Sequence, residues 1–184
     1  MKAAALVLAA IATAASAASM IARSGTVRFF STTPLENIEG ISSTAVSSID
    51  LDSGKLAIKA RNATFIFPVK LMQEHFNENY MESEKYPLST FSGKFGGLDR
   101  QAFDEGKKVA VIVDGMLDVH GIAKHYRTPG FLQKGPNGAV EGETRFFVKI
   151  ADHGIKIPSV VMAKIADSME ITARFAWHSA EAAK

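Results

Sequence analysis

Residues 107–120 read KKVAVIVDGMLDVH. Val109, Val111, Val113, Leu117 and Val119 fall on alternate positions, and Gly115 interrupts them at the centre. Strict alternation over this length is the signature of a strand with one buried face. A glycine in mid-strand marks a bend or a close approach of two backbones, as happens where a sheet curls into a barrel.

The same period recurs on both sides of this stretch. In Gly25–Ser31, Val27 and Phe29 alternate with Thr26 and Arg28. In Lys55–Arg61, Leu56, Ile58 and Ala60 form the apolar set, and from Ala63 the phase moves to Phe65 and Phe67. A slip of one residue flips the buried face, so the spacing predicts a bulge or bend near Asn62–Ala63. In Val140–Ala151, Phe146, Val148 and Ile150 oppose Glu141, Glu143, Arg145 and Lys149. In Ser168–His178, Met169, Ile171, Ala173, Phe175 and Trp177 oppose Glu170, Thr172, Arg174 and His178. One wet face and one dry face is the habit of antiparallel strands. Asp52-Ser53-Gly54 and Pro136-Asn137-Gly138 supply turns between runs. No helical pattern recurs between strands, which excludes a parallel α/β sheet. The spacing predicts a mainly β, antiparallel fold of about eight strands with one short helix, either a barrel or a sandwich.

That helix follows Pro68. Leu71, Met72, His75, Phe76 and Asn79 lie at helical spacing, with Leu71, Met72 and Phe76 as the apolar stripe and Glu74, Asn77, Glu78 and Glu82 on the wetter side. Pro87 ends it and a strand resumes over Leu88–Phe95. Phe76 and Tyr80 are expected to plug or line one end of the barrel.

The first seventeen residues, MKAAALVLAAIATAASA, place Lys2 before an apolar run that closes on Ala15-Ser16-Ala17. This is the pattern of a secretory signal peptide cleaved near Ala17. The run falls short of the roughly 20 residues a membrane span needs. Residues 18–184 then form a single periplasmic or secreted domain that does not span a membrane. Residues 18–24 and 179–184 read as loose ends. The chain has no cysteine, so the core must hold the fold without disulfides, and thiolate chemistry and lipid attachment at a cysteine are excluded. Without Lys2, 20 basic residues face 19 acidic ones, from totals of 21 and 19. No basic run stands out, which argues against nucleic acid as a partner.

No catalytic or metal motif appears among the titratable residues. The stretch Glu74–Glu84 is rich in carboxylates but sits at a helix end, and no calcium loop accompanies it. His75, His120, His125, His153 and His178 show no metal-ligand spacing. His120, next to Gly121, reads as a turn residue or a polar group at a cavity mouth. No metal and no cofactor are expected. The inward set is Phe29, Leu56, Ile58, Phe65, Phe67, Met72, Phe76, Phe91, Phe95, Val111, Val113, Phe146, Val148, Ile171, Phe175 and Trp177. An eight-stranded barrel either fills its interior with such side chains or holds one small ligand, and alternation alone does not choose.

Three motifs in order resemble the YceI-like family. They are Leu71–Phe95, with Tyr86-Pro87 and Thr90-Phe91-Ser92-Gly93; Gly115–Lys124, with His120-Gly121; and Asp152-His153-Gly154-Ile155 followed by Pro158. Relative to that pattern the first strand is abbreviated, because only Gly25–Ser31 precedes Pro34–Gly40. The resemblance implies the up-and-down barrel rather than the sandwich: an exported lipocalin-like barrel that carries a long apolar lipid, polyisoprenoid or similar, in its lumen. It makes the inward set a ligand lining, with His120 and Tyr80 as polar groups at the mouth. A homodimer is open. Two other readings stand beside the carrier. One is an envelope interaction or stress protein with a filled barrel. The other is a hydrolase-type enzyme using His120, His125, His153 and the Glu74–Glu84 carboxylates at the rim.

Overall fold

The computed structural model describes residues 19–179, so the leader 1–17 and the tail 180–184 lie outside the described residues. Ten strands form one antiparallel sheet: β1 (Met20–Ala22), β2 (Gly25–Thr32), β3 (Asn37–Ser42), β4 (Val46–Ile49), β5 (Lys55–Arg61), β6 (Leu88–Gly96), β7 (Val109–Val119), β8 (Ile122–Lys134), β9 (Val140–Lys149) and β10 (Ser168–Ser179). Eight of them close a barrel in the order β1-β4-β5-β6-β7-β8-β9-β10, with β10 pairing back to β1. Closure removes the free edges that an open sheet would leave.

The chain enters through two short strands in tandem. β1 pairs the end of β10, and β2 pairs its beginning, from Glu170–Phe30 to Phe175–Gly25. The segment after Ala18 is therefore not loose and the first strand is not abbreviated: pairing reaches back to Met20, with a break at Arg23–Ser24. β3 pairs with β2, and its far edge makes one bridge, Ile41 to Ile66, with the segment that follows β5. A seam is left there, and residues 62–80 lie across it.

The expected bend at Asn62 is a short 3-10 turn over Asn62–Thr64. Helix α1 (Lys70–His75) follows and continues as a π turn over Phe76–Tyr80. A second short helix, α2 (Arg100–Asp104), was not expected. Asp99 caps it by accepting from the Ala102 N–H, and Phe103 on it is 2% exposed. Lying in the β6–β7 connection, it closes the end of the barrel opposite α1.

The core fills that end. Leu56, Phe91, Phe95, Val111, Val113, Phe175 and Trp177 are all buried there, together with Ile49, Leu132 and Val140. The Trp177 indole N–H donates to Ser47 Oγ at 3.0 Å, which satisfies the one polar atom of its ring. Gly115 is indispensable to β6–β7 pairing. A Cβ there would stand 2.5 Å from the Ser92 carbonyl oxygen and 2.6 Å from the Gly93 Cα.

Candidate ligand cavity

At the α1 end the same alternation leaves a hole. Val27, Ile38, Leu117, Met169 and Ile171 face inward yet are only half-buried. They line a cavity of about 480 Å3, within the range of small-molecule sites. The barrel is thus filled below and hollow above.

One wall is aromatic. The bend at 62–64 turns Phe65 and Phe67 inward, and the π turn that follows α1 lays Phe76 over them. Phe29 stacks on Phe76 with centroids 5.2 Å apart and meets Phe65 and Phe67 at 5.4 Å each. Offset and tilted contacts of this kind add to the burial of each ring. Met72 and Tyr80 line the cavity from α1 and its π turn. The facing wall comes from β7, β9 and β10, through Leu117, Val119, Val148, Met169 and Ile171, with Ile150 from the 3-10 turn after β9.

The roof is the segment 155–165. Ile155, Ile157, Val161 and Ile165 turn onto the cavity from outside the barrel strands. Lys164 of this segment pairs with Glu36 of the β2–β3 turn at 3.5 Å, and both residues line the opening. Around it Leu35, Leu71, Val160 and Met162 stand exposed.

The buried polar side chains of the walls, Asn62 and His153, are satisfied from within. His153 is wholly buried. Its Nδ1 lies 2.9 Å from the Ile122 carbonyl, which only accepts, so Nδ1 carries the proton. Nε2 therefore accepts, and the Tyr126 hydroxyl donates to it at 3.0 Å. Burial, with the nearby Asp152 charge, raises the Tyr126 pKa and keeps the phenol a donor. Asn62, also wholly buried, donates to the Tyr86 carbonyl at 2.6 Å and accepts from Ser89 Oγ at 2.8 Å. A ligand in the cavity thus meets mostly hydrocarbon, with the Tyr80 hydroxyl and the His75 ring among the polar groups on the lining.

The inward set divides between the two halves. Phe29, Phe65, Phe67, Met72, Phe76, Val148 and Ile171, with Tyr80, lie on the cavity. Leu56, Phe91, Phe95, Val111, Val113, Phe175 and Trp177 are instead in the filled half, and Ile58 packs against that core. Phe146 is half-buried against Tyr126, with centroids 5.6 Å apart. His120 is not on the cavity wall. It occupies the two-residue β7–β8 hairpin with φ +54°, beside Gly121 at +74°, the left-handed pair that the strand twist favours. His120 Nε2 donates to Glu82 at 2.7 Å, and that bond chiefly holds the Glu82 carboxyl below its usual range.

The acidic stretch faces outward. Glu74 pairs with Lys70, and Glu82 with Lys85 and His120. His125 bonds Asp114 at a separate site. Among the described residues no group of three or more His, Asp or Glu is placed to hold a metal ion. Alternation missed the roof because segment 155–165 pairs with no strand. Its signal was the apolar run Ile155, Ile157, Val160, Val161 and Ile165 lying where the strand pattern stops.

A family model described as the YceI-like domain matches residues 11–177. No curated protein sequence matches. Among solved structures, a polyisoprenoid-binding domain from Saccharophagus degradans, implicated in plant cell wall breakdown, is 14% identical with a TM-score of 0.74, over 89% of this chain and 99% of that one. BcnA of Burkholderia cenocepacia is 14% identical with a TM-score of 0.71, over 84% and 96%. A YceI protein of Campylobacter jejuni is 17% identical with a TM-score of 0.56, over 72% and 78%. At these identities the likeness is one of fold.

Proposed function

The chain belongs to the YceI-like family, and we propose that it is an exported carrier that sequesters one apolar lipid chain, isoprenoid or similar, in the upper half of its barrel. The observation that carries this reading is the open cavity, whose walls are mostly apolar and whose buried polar groups, Asn62 and His153, are bonded within the protein. Empty of ligand, such a surface holds water poorly, and each methylene that enters contributes about 0.8 kcal/mol. Association and chain ordering offset much of that sum, so affinity saturates well below it. The related domain from Saccharophagus degradans is described as polyisoprenoid-binding, which supports the same ligand class here. The leader pattern of residues 1–17 supports export, with the carrier acting in the periplasm or outside the cell.

The test is native mass spectrometry of the protein expressed with its own leader, followed by organic extraction. The expected result is a chain starting near Ala18 with one lipid per barrel. A protein recovered empty that also refuses added prenyl and acyl chains would refute the carrier and leave a binding-inert barrel.

A further inference from the structure

We propose that the lumen selects by length, accepting a single chain of about fifteen carbons, with Phe91 as the stop at its inner end. This rests on the carrier reading above and specifies its ligand.

The stop is visible strand by strand. Going down from the mouth, the last cavity-lining residue on β5 is Ala60, on β6 Ser89, on β7 Leu117 and on β10 Ile171. The next inward residues are Ile58, Phe91, Gly115 and Ala173. Two of these are large and two are small. The rings fill the room that small neighbours leave. Phe91 tips across β7, so that a Cβ on Gly115 would stand 2.7 Å from its Cζ. Opposite, the Phe175 ring covers Gly25, where a Cβ would come within 2.1 Å of Cδ1. Both phenylalanines are buried, at 8% and 6% exposure, and the packed core continues beneath them to Phe103.

The space above the stop sets the length. A methylene displaces about as much volume as a water molecule, about 30 Å3. A cavity of about 480 Å3 is then on the scale of about sixteen chain carbons. β7 gives the same scale: only Leu117 and Val119 of its inward residues line the cavity, whereas Val109, Val111 and Val113 are core. Three isoprene units or a palmitoyl-length acyl chain fit. An eight-unit polyprenyl chain would leave most of its length outside the mouth.

Two series test this by displacement of N-phenyl-1-naphthylamine: prenyl alcohols of 10, 15, 20 and 40 carbons, and saturated fatty acids of 10 to 20. Affinity should tighten with length in the short members, by at most about fourfold per methylene, and level off at 15–16 carbons. A plateau in both series supports length alone; a plateau in one series supports it and narrows the chain class. In Phe91→Ala the plateau should move to 20 carbons. Its melting curve is read first, and if it does not fold, Phe91→Leu carries the test with a smaller shift in the same direction. Tightening that runs unbroken from 15 through 20 to 40 carbons overturns the length limit and leaves the carrier standing. A plateau unmoved in the folded variant overturns Phe91 as the stop. Failure of every chain to bind overturns the carrier reading itself.

Discussion

The half-filled barrel makes one chemical change cost two different amounts. Leu132 on β8 and Leu117 on β7 are both inward leucines of adjacent strands. Leu132 is 4% exposed and lies beside the Trp177 ring, both flanking Gly142. Its truncation to alanine removes three buried carbons and opens a new void in a closed core. Leu→Ala at such sites costs about 2.7–5 kcal/mol, of which the void is a large part; about 3.5 kcal/mol is expected. Leu117 is half-buried and already borders the cavity. Its truncation enlarges an existing hole and loses the transfer energy of roughly half the side chain, about 1.2 kcal/mol. For a domain of this size 1 kcal/mol shifts the melting temperature by about 2–4 °C. Leu132→Ala should therefore melt about 7–14 °C lower than the parent protein, and Leu117→Ala about 2–5 °C lower, in ligand-free protein followed by circular dichroism. The two variants keep the same strands and the same chemistry, so the gap of about 2 kcal/mol isolates the hollow from the filled half. Equal losses, or a larger loss at Leu117, would mean that the upper lumen is closed and that the division of the barrel is wrong.

Two further outcomes are expected. The hydrogen bond from His120 lowers the Glu82 pKa in the folded protein. Its stabilisation is therefore complete above the unfolded value of about 4.3 and is lost as pH falls through the lower folded value. Glu82→Gln should melt below the parent at pH 7, with the gap closing on acidification toward pH 3; a gap constant over that range would exclude the contact as a source of stability. Trp177→Phe removes the donor to Ser47 Oγ, which keeps its own bond to the Ala57 carbonyl at 2.8 Å. A loss of about 1–2 kcal/mol follows in urea unfolding, and a neutral result would show that the buried indole N–H is not needed.

Alternation alone determined that this chain is built of antiparallel strands with one buried face; that they close into a barrel is decided by the pairing of β10 with β1. The side-chain period of a strand is two, so Val109 to Val119, Val140 to Ile150 and Met169 to Trp177 each declare one buried face without reference to any neighbour. The phase slip after Ala60 likewise announced the bend at Asn62–Thr64, because a slip cannot be absorbed inside a paired strand. Gly115 announced a close approach, which is where β6 and β7 meet. What alternation cannot carry is height along the barrel axis. Phe91 and Phe29 are both inward aromatics, yet one closes the floor and the other lines the cavity. The difference arises from what stands opposite: Gly115 under the Phe91 ring, and Phe76 stacked on Phe29. The first of these contacts exists only once β6 pairs with β7, and the second only once segment 62–80 folds over β2. The roof over 155–165 and the buried bond from Tyr126 to His153 were hidden for the same reason. A residue's face is a local property of the backbone; whether that face meets another side chain or an open space is decided by the tertiary packing.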